Sequence, residues 1–326
     1  MNIEVKYKNK NGNILDLNYE MSKLAFIKHF AIAGQKYAPH PRKILRALGM
    51  LLHYQDYLQR GSFNNNKFSE PPINISDPTE KGQFSNLAGK AIADFLSKRI
   101  DNSSFTINYE AAMRIKGIPL SVNGKQVRRP DLLAFNQKSE ETFAIEVKGY
   151  TGGAGNMDKH KKQSKTGGID VDFTVASVSY NLYKKVKCKY FDPYNDNIPF
   201  DKELFKNLTK EYYSGFSEFL DYSSYKEIEY QKEKFYEVDL FYPPYFDEYF
   251  LKDEKPFRYF MEEIFHFYRP ILILPSNIKE FAKNGLSEDI SPFLFESKIK
   301  KDIEEQDNKV YIDNDRIGLK IRRNEW

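Results

Sequence analysis

The chain of 326 residues is 40% apolar and 29% charged, and its 50 Lys and Arg residues exceed its 46 Asp and Glu residues by four. These values predict one large or two modest globular domains with a hydrophobic core, and no apolar run is long enough to predict a membrane span. The single cysteine, Cys188, and five scattered histidines exclude a disulfide framework, a zinc site and an iron–sulfur cluster, and together with the lack of a leader pattern they predict a cytoplasmic protein.

The N-terminal segment, residues 1–78, is predicted to form a hairpin followed by helices. Apolar and polar residues alternate over 3–7, and Asn11-Gly12 is a typical hairpin turn. The remaining patterns predict helices over about 21–33 and 42–59 and a loop over 61–78.

The middle segment, residues 79–195, is predicted to have the order helix, three strands, helix and strand. The first helix has an apolar stripe from Phe84 to Leu96. The predicted elements, in that order, span about 79–99, 105–116, 127–135, 142–148, 156–165 and 171–182. This order predicts the α/β (α+β) class, with a mixed central sheet flanked by helices.

The C-terminal region, residues 196–326, is predicted to be helix-rich and aromatic, to contain a short buried strand at 271–274, and to end in a β-hairpin. Between the hairpin strands, Asp313-Asn314-Asp315 is interpreted as a turn, because the later ligands of a calcium loop are missing.

Charge is distributed unevenly along the chain. Residues 105–190 contain 15 basic and 8 acidic residues, an excess of +7, whereas residues 201–265 contain 9 basic and 16 acidic residues, an excess of −7. A basic segment suits a polyanion, because each neutralised phosphate releases counterions. We therefore expect the basic segment to bind DNA. The simpler alternative is a solvated basic surface.

Three residues in the middle segment point to hydrolytic chemistry. Side chains alternate along a strand, so Glu146 and Lys148 share one face, and a hairpin would bring Asp131 beside them. Two carboxylates and the Val147 carbonyl can hold Mg²⁺, or Mn²⁺ in its place. A neighbouring lysine can orient the attacking water and stabilise charge in the transition state.

Pro130-Asp131, a gap of 14 residues and Glu146-x-Lys148 resemble the PD-(D/E)xK signature of the restriction-endonuclease-like nuclease superfamily. The resemblance covers about residues 79–190 and implies a core of helix, three strands, helix and strand. It also implies metal-dependent cleavage of DNA, more rarely RNA, that leaves 5′-phosphate ends. Within that superfamily we expect a type II restriction or defence endonuclease that cuts double-stranded DNA as a homodimer.

The resemblance implies further site residues. Many members add an upstream acid to the metal shell, and the candidates are Glu80 on the first helix, which we favour, and Glu110 on the first strand. Some exonuclease branches carry a glutamine followed four residues later by tyrosine. Four residues after Gln163 this sequence has Gly167 in place of the tyrosine, which disfavours a processive exonuclease. Gln163 is still a candidate to contact phosphate or the catalytic lysine.

The predicted DNA contacts are basic residues on both sides of the motif: Arg128, Arg129, Lys159, Lys161, Lys162 and Lys165. His160, within the same run, is interpreted as a surface residue rather than a general base. The glycine-rich loop 149–155 lacks the Gly-Lys-Ser/Thr of a P-loop, so its glycines turn the chain or let the backbone approach DNA.

Two other functions fit the same residues. One is a repair or single-strand nuclease that acts with a partner, and the other is a catalytically idle nucleic-acid-binding module. The intact set of two acids and a lysine argues against the idle module. For a restriction enzyme, the flanking regions 1–78 and 196–326 are predicted to supply base recognition or dimer contacts.

Overall fold

The computed structural model describes residues 1–9, 11–35, 47, 49–50, 53–191, 198–239, 269–285, 292–297 and 309–322. The strands are, in chain order, β1 (Asn2–Lys8), β2 (Ile14–Glu20), β3 (Phe105–Asn108), β4 (Ser121–Val122), β5 (Lys125–Gln126), β6 (Leu132–Asn136), β7 (Glu141–Gly149), β8 (Phe173–Tyr180), β9 (Lys187–Phe191), β10 (Tyr225–Tyr230), β11 (Glu233–Asp239), β12 (Arg269–Pro275), β13 (Phe295–Glu296), β14 (Lys309–Ile312) and β15 (Gly318–Arg322). The helices are α1 (Lys23–Ile32), α2 (Arg60–Asn64), α3 (Pro78–Ile100), α4 (Tyr109–Ile115), α5 (Met157–Ser164), α6 (Lys202–Ser217), α7 (Phe219–Tyr222) and α8 (Ile278–Asn284), with a 3₁₀ turn at Gln55–Leu58.

A seven-stranded mixed sheet in the order β2-β1-β9-β8-β7-β6-β3 forms the centre of the molecule. The pairs β7–β8 and β1–β9 are parallel, and the other neighbours are antiparallel. Helices cover both faces, so the predicted α/β (α+β) class with a mixed central sheet is confirmed. The N-terminal hairpin is part of this sheet, because β1 pairs with β9.

Helix α3 is held tightly against strand β7. Its N-terminus is capped by the Asp77 side chain, which accepts a hydrogen bond of 2.8 Å from the Glu80 amide. At Gly149, which ends β7, an added Cβ would lie 1.7 Å from the Ser85 carbonyl oxygen, so only glycine permits this approach. The helix therefore fixes the position of the strand end that carries the predicted catalytic residues.

The two faces of β7 bury different side chains. Ile145 and Val147 pack with α1 and α3 in one hydrophobic cluster, whereas Ala144 packs in a second cluster with α4 and α6. Alternation therefore places Glu146 and Lys148 on the face away from α3. Helix α5 packs against β7 and β8 on this same face, because its Lys161 donates a hydrogen bond to Thr174, the neighbour of Ala144 on β8.

A second, six-stranded antiparallel sheet has the order β10-β11-β12-β15-β14-β13. It packs through Val238, Leu272 and Leu274 on the cluster that contains α6. The predicted strand at 271–274 and the predicted terminal hairpin are confirmed as β12 and as the β14–β15 pair.

Three predictions of secondary structure were wrong. The strand predicted over 105–116 ends at Asn108, whose side chain caps α4 by accepting a hydrogen bond of 3.1 Å from the Ala111 amide. Residues 225–239, within the region predicted to be helix-rich, form the β10–β11 hairpin. The loop predicted over 61–78 begins inside the short helix α2. Of the helix predicted over 42–59, residues 42–46, 48, 51 and 52 lie outside the described residues, and residues 55–58 form the 3₁₀ turn.

The turn at Asp313–Asp315 connects the second sheet to the central core through buried ion pairs. Lys28 of α1 lies 2.8 Å from Asp315, and Lys98 of α3 lies 3.1 Å from Asp313 and 2.5 Å from Asp315. The segment connects β14 to β15, so it is a turn, as predicted. Its acids are buried and pair with lysines. Each buried charge has partners of opposite sign, which is the condition for tolerating charge in a core.

No helix within the described ranges is long and apolar enough to cross a membrane.

Candidate active site at the end of strand β7

Asp131 is held against β7 by its backbone and its side chain. Its amide donates a hydrogen bond of 3.1 Å to the Ile145 carbonyl, and its own carbonyl accepts one of 3.1 Å from the Tyr109 amide. The carboxylate oxygen Oδ2 accepts a hydrogen bond of 2.8 Å from the Val147 amide. The antiparallel β6–β7 pairing therefore brings Asp131 beside the Glu-x-Lys sequence, as the predicted hairpin requires.

Glu146 is a fully buried carboxyl group. The Lys148 ammonium makes an ion pair with its Oε1, whereas Oε2 accepts no hydrogen bond from a described residue. Burial and the nearby Asp131 raise the pKa of Glu146 to about 7, although Lys148 opposes this rise. A buried carboxylate with unused lone pairs is a group that a cation would stabilise.

The Lys148 ammonium lies at the point where the predicted metal ligands converge. It donates a hydrogen bond of 2.9 Å to the Val147 carbonyl, lies 3.7 Å from Asp131 Oδ2, and pairs with Glu146. Burial alone would lower the pKa of Lys148, but these carboxylates raise it, so the side chain remains an ammonium at neutral pH. Three oxygen donors thus surround one positive charge.

This donor set fits a hard divalent cation, which prefers carboxylate and carbonyl oxygens. Among the residues that the structure describes, no three His, Cys, Asp or Glu side chains form a metal-binding group. A cation here would therefore depend on Asp131, Glu146 and the Val147 carbonyl, with other positions open to water or substrate.

The two upstream acids have other contacts. The carboxylate of Glu80, which we favoured, lies 3.5 Å from the Tyr57 hydroxyl and 3.6 Å from His53. The prediction that Glu110 lies on a strand was wrong: it begins α4 and pairs with Arg114 at 2.7 Å and with Arg129. No contact in the described structure brings either acid to Asp131 or Glu146.

An open groove brings together basic residues from two separate segments. It has a volume of about 490 Å³, and its lining includes Arg128 from the segment before Asp131 and Lys159, Lys162 and Gln163 from α5. Helix α5 forms one wall of the groove and also packs against β7, and Arg128 lies three positions before Asp131, so the groove and the candidate site share a helix and a segment. Three of the six predicted DNA contacts and Gln163 therefore share one surface.

The other three predicted DNA contacts lie elsewhere. Lys161 is buried, and its ammonium donates hydrogen bonds to the carbonyl and hydroxyl of Thr174, so its assignment to DNA was wrong. Arg129 donates a hydrogen bond of 3.0 Å to the Val127 carbonyl and pairs with Glu110. Lys165 is exposed and is not part of the groove lining.

The contact between His160 and Tyr150 was not predicted from the sequence. His160 is buried, so its interpretation as a surface residue was wrong, and its Nε2 lies 3.0 Å from the Tyr150 hydroxyl. The available signal was the continued alternation of polar side chains at 146, 148 and 150.

Comparison with known proteins identifies no relative of this chain. No family model, no curated protein and no solved structure matches this chain. Any function assigned to the chain depends on the geometry and chemistry of the site.

Proposed function

We propose that this protein is a magnesium-dependent nuclease that hydrolyses phosphodiester bonds of double-stranded DNA. The observation that carries the proposal is the convergence of Asp131, Glu146 and the Val147 carbonyl around one positive charge. A groove lined by Arg128, Lys159 and Lys162 is formed by the segment before Asp131 and by α5, which packs against β7. Carboxylates alone would repel a polyanion, and a basic groove alone would only bind one. The presence of both on connected elements supports hydrolysis of a phosphate ester.

In the proposed reaction each side chain has one role. Asp131 and Glu146 would hold the cation, which would neutralise charge that develops on the phosphoryl oxygens. Lys148 orients the attacking water and stabilises the transition state. Arg128, Lys159 and Lys162 position the backbone through phosphate contacts, which carry no sequence information.

The finer assignment is a type II restriction or defence endonuclease that leaves 5′-phosphate ends. Cutting both strands requires two active sites, so we propose a homodimer, with Mn²⁺ able to replace Mg²⁺. Sedimentation of the protein with and without DNA measures the oligomeric state, and a monomer in both conditions would contradict the dimer.

The decisive experiment incubates the purified protein with plasmid and phage DNA in Mg²⁺ or in EDTA. We expect cleavage in Mg²⁺ alone, and Asp131→Ala or Glu146→Ala should abolish it without unfolding the protein. Glu140→Ala is the matched control, because Glu140 lies in the turn before β7 and pairs with Lys202. Either site variant cutting at the wild-type rate would contradict the assignment.

The products distinguish the proposed function from its rivals. Discrete fragments support a restriction enzyme, and a smear supports a non-specific nuclease. Cleavage of single strands only supports a repair nuclease that acts with a partner. Salt-sensitive binding without cleavage supports an idle binding module.

A further inference from the structure

Tyr150 extends the row of functional side chains by one position. Its amide donates a hydrogen bond of 2.9 Å to the Ser179 carbonyl, which continues the pairing of β7 with β8 beyond Gly149. The alternation of side chains therefore continues, and Tyr150 lies on the same face as Glu146 and Lys148. Tyr150 also contributes to raising the pKa of Lys148, as expected for neighbouring groups.

His160 approaches the Tyr150 hydroxyl from α5. The Nε2 atom of His160 lies 3.0 Å from the hydroxyl oxygen, and the half-buried Tyr150 is the ring's hydrogen-bond partner. The other ring nitrogen, Nδ1, is buried without a hydrogen-bond partner among the described residues. Burial, followed by the positive charges of Lys148 and Lys159, lowers the pKa of His160, so the ring is neutral at neutral pH.

These contacts determine where the single proton of the neutral ring lies. A buried N–H group without an acceptor is rarer in folded proteins than a buried acceptor without a donor. The proton therefore belongs on Nε2, where it is donated to the Tyr150 oxygen, and the lone pair belongs on Nδ1. The hydroxyl proton of Tyr150 is then not used by His160 and is free to be donated elsewhere.

We propose that Tyr150 donates this hydrogen bond to a non-bridging oxygen of the substrate phosphodiester beside Lys148, and that His160 is the positioning residue that orients it. The inference rests on the proposed nuclease function. An anionic oxygen next to an ammonium group is the acceptor that this site would hold. A hydroxyl that is already oriented loses little entropy on donating, and the bond strengthens as charge develops on the phosphoryl group.

The test compares Tyr150→Phe, His160→Leu and His160→Gln in single-turnover cleavage. Loss of one oriented donor should slow Tyr150→Phe about 10²-fold, while DNA affinity measured in Ca²⁺ stays close to that of the wild type. His160→Leu should be similarly slow. His160→Gln should recover most of the rate, because the glutamine amide can donate from nearly the position of Nε2.

The double variant separates positioning from an independent role. Tyr150→Phe with His160→Leu should be no slower than the slower single variant, whereas multiplied defects would overturn the coupling. Tyr180→Phe is the control. Tyr180 is on the neighbouring strand, but it lines a different pocket, with Glu4 and Lys187, and should not affect cleavage. If the wild type cuts DNA and Tyr150→Phe matches it, only this inference fails. If the wild type cuts no DNA, the proposed function fails and the inference fails with it.

A second measurement does not depend on cleavage or on a folded Tyr150 variant. The ¹⁵N chemical shifts of the imidazole ring of His160, assigned by comparison with His160→Gln, report the tautomer directly. We expect a protonated Nε2 and an unprotonated Nδ1. The opposite tautomer would leave the Tyr150 proton bonded to His160 and would overturn the proposal.

Discussion

Replacing Glu146 with glutamine should stabilise the metal-free protein while it removes the proposed activity. Glu146 is fully buried, and its pKa rises from an ordinary value of 4.5 to about 7. Each pKa unit corresponds to about 1.4 kcal/mol, so holding this carboxylate ionised costs the folded state about 3 kcal/mol at high pH. Glutamine keeps the shape of the side chain and removes this cost.

The pH dependence has a definite sign. Below pH 4.5 both the folded and the unfolded protein bind the proton, so the carboxyl group costs nothing. Between pH 4.5 and about 7 the folded state retains the proton more strongly, and stability falls as the pH rises. Above about pH 7 the full penalty is present, so the advantage of Glu146→Gln is largest there.

Urea unfolding in EDTA at pH 8 and at pH 5 measures this difference. We expect Glu146→Gln to be more stable than the wild type by about 3 kcal/mol at pH 8 and by less than about 1 kcal/mol at pH 5. Added Mg²⁺ should stabilise the wild type and not the variant, because only the wild type retains both ligands. Glu140→Gln, an exposed control in the preceding turn, should change little. A Glu146→Gln protein that is less stable than the wild type at pH 8 would refute the reasoning.

Three further perturbations test other parts of the molecule. Lys148→Met should retain DNA binding in Ca²⁺ but lose cleavage by about 10²-fold or more; a large loss of affinity with a small loss of rate would make Lys148 a phosphate contact. Replacing Lys159 and Lys162 with glutamine should lower the log–log salt slope of DNA binding by about 2, whereas Lys161→Gln should instead destabilise the fold. An unchanged slope would identify a solvated face. Lys98→Met should lower the free energy of unfolding by about 3–5 kcal/mol, because its acidic partners stay buried; a loss below about 1 kcal/mol in urea unfolding would contradict this.

The sequence predicted that Asp131, Glu146 and Lys148 lie close together, because this geometry follows from local rules. Alternation along one strand places Glu146 and Lys148 on a common face, and a short hairpin brings Asp131 beside them. Neither condition depends on distant parts of the chain. The grouping of Arg128 with Lys159 was not predictable in this way, since it depends on where α5 packs.

The wrong predictions have physical causes. The β10–β11 hairpin turns at Gln231 and Lys232, which adopt φ values of 51° and 68° without the usual Asn-Gly signal. Lys161 resembles its exposed neighbours in sequence, but the rotation of α5 points its side chain to Thr174. A charge pattern gives the composition of a helix face and not the direction in which that face points.

The buried ion pairs between α1, α3 and the turn at Asp313–Asp315 also bear on how the protein is made. Lys28 and Asp313 are 285 positions apart, so the lysines leave the ribosome long before their counterions do. Until residues 313–315 have been synthesised, Lys28 lacks both of these acids and Lys98 has only Asp94, 3.8 Å away. Packing α3 against Gly149 before then would bury charge that is only partly compensated. The site at the end of β7 is therefore expected to reach its full stability only after the Asp313–Asp315 turn has been made.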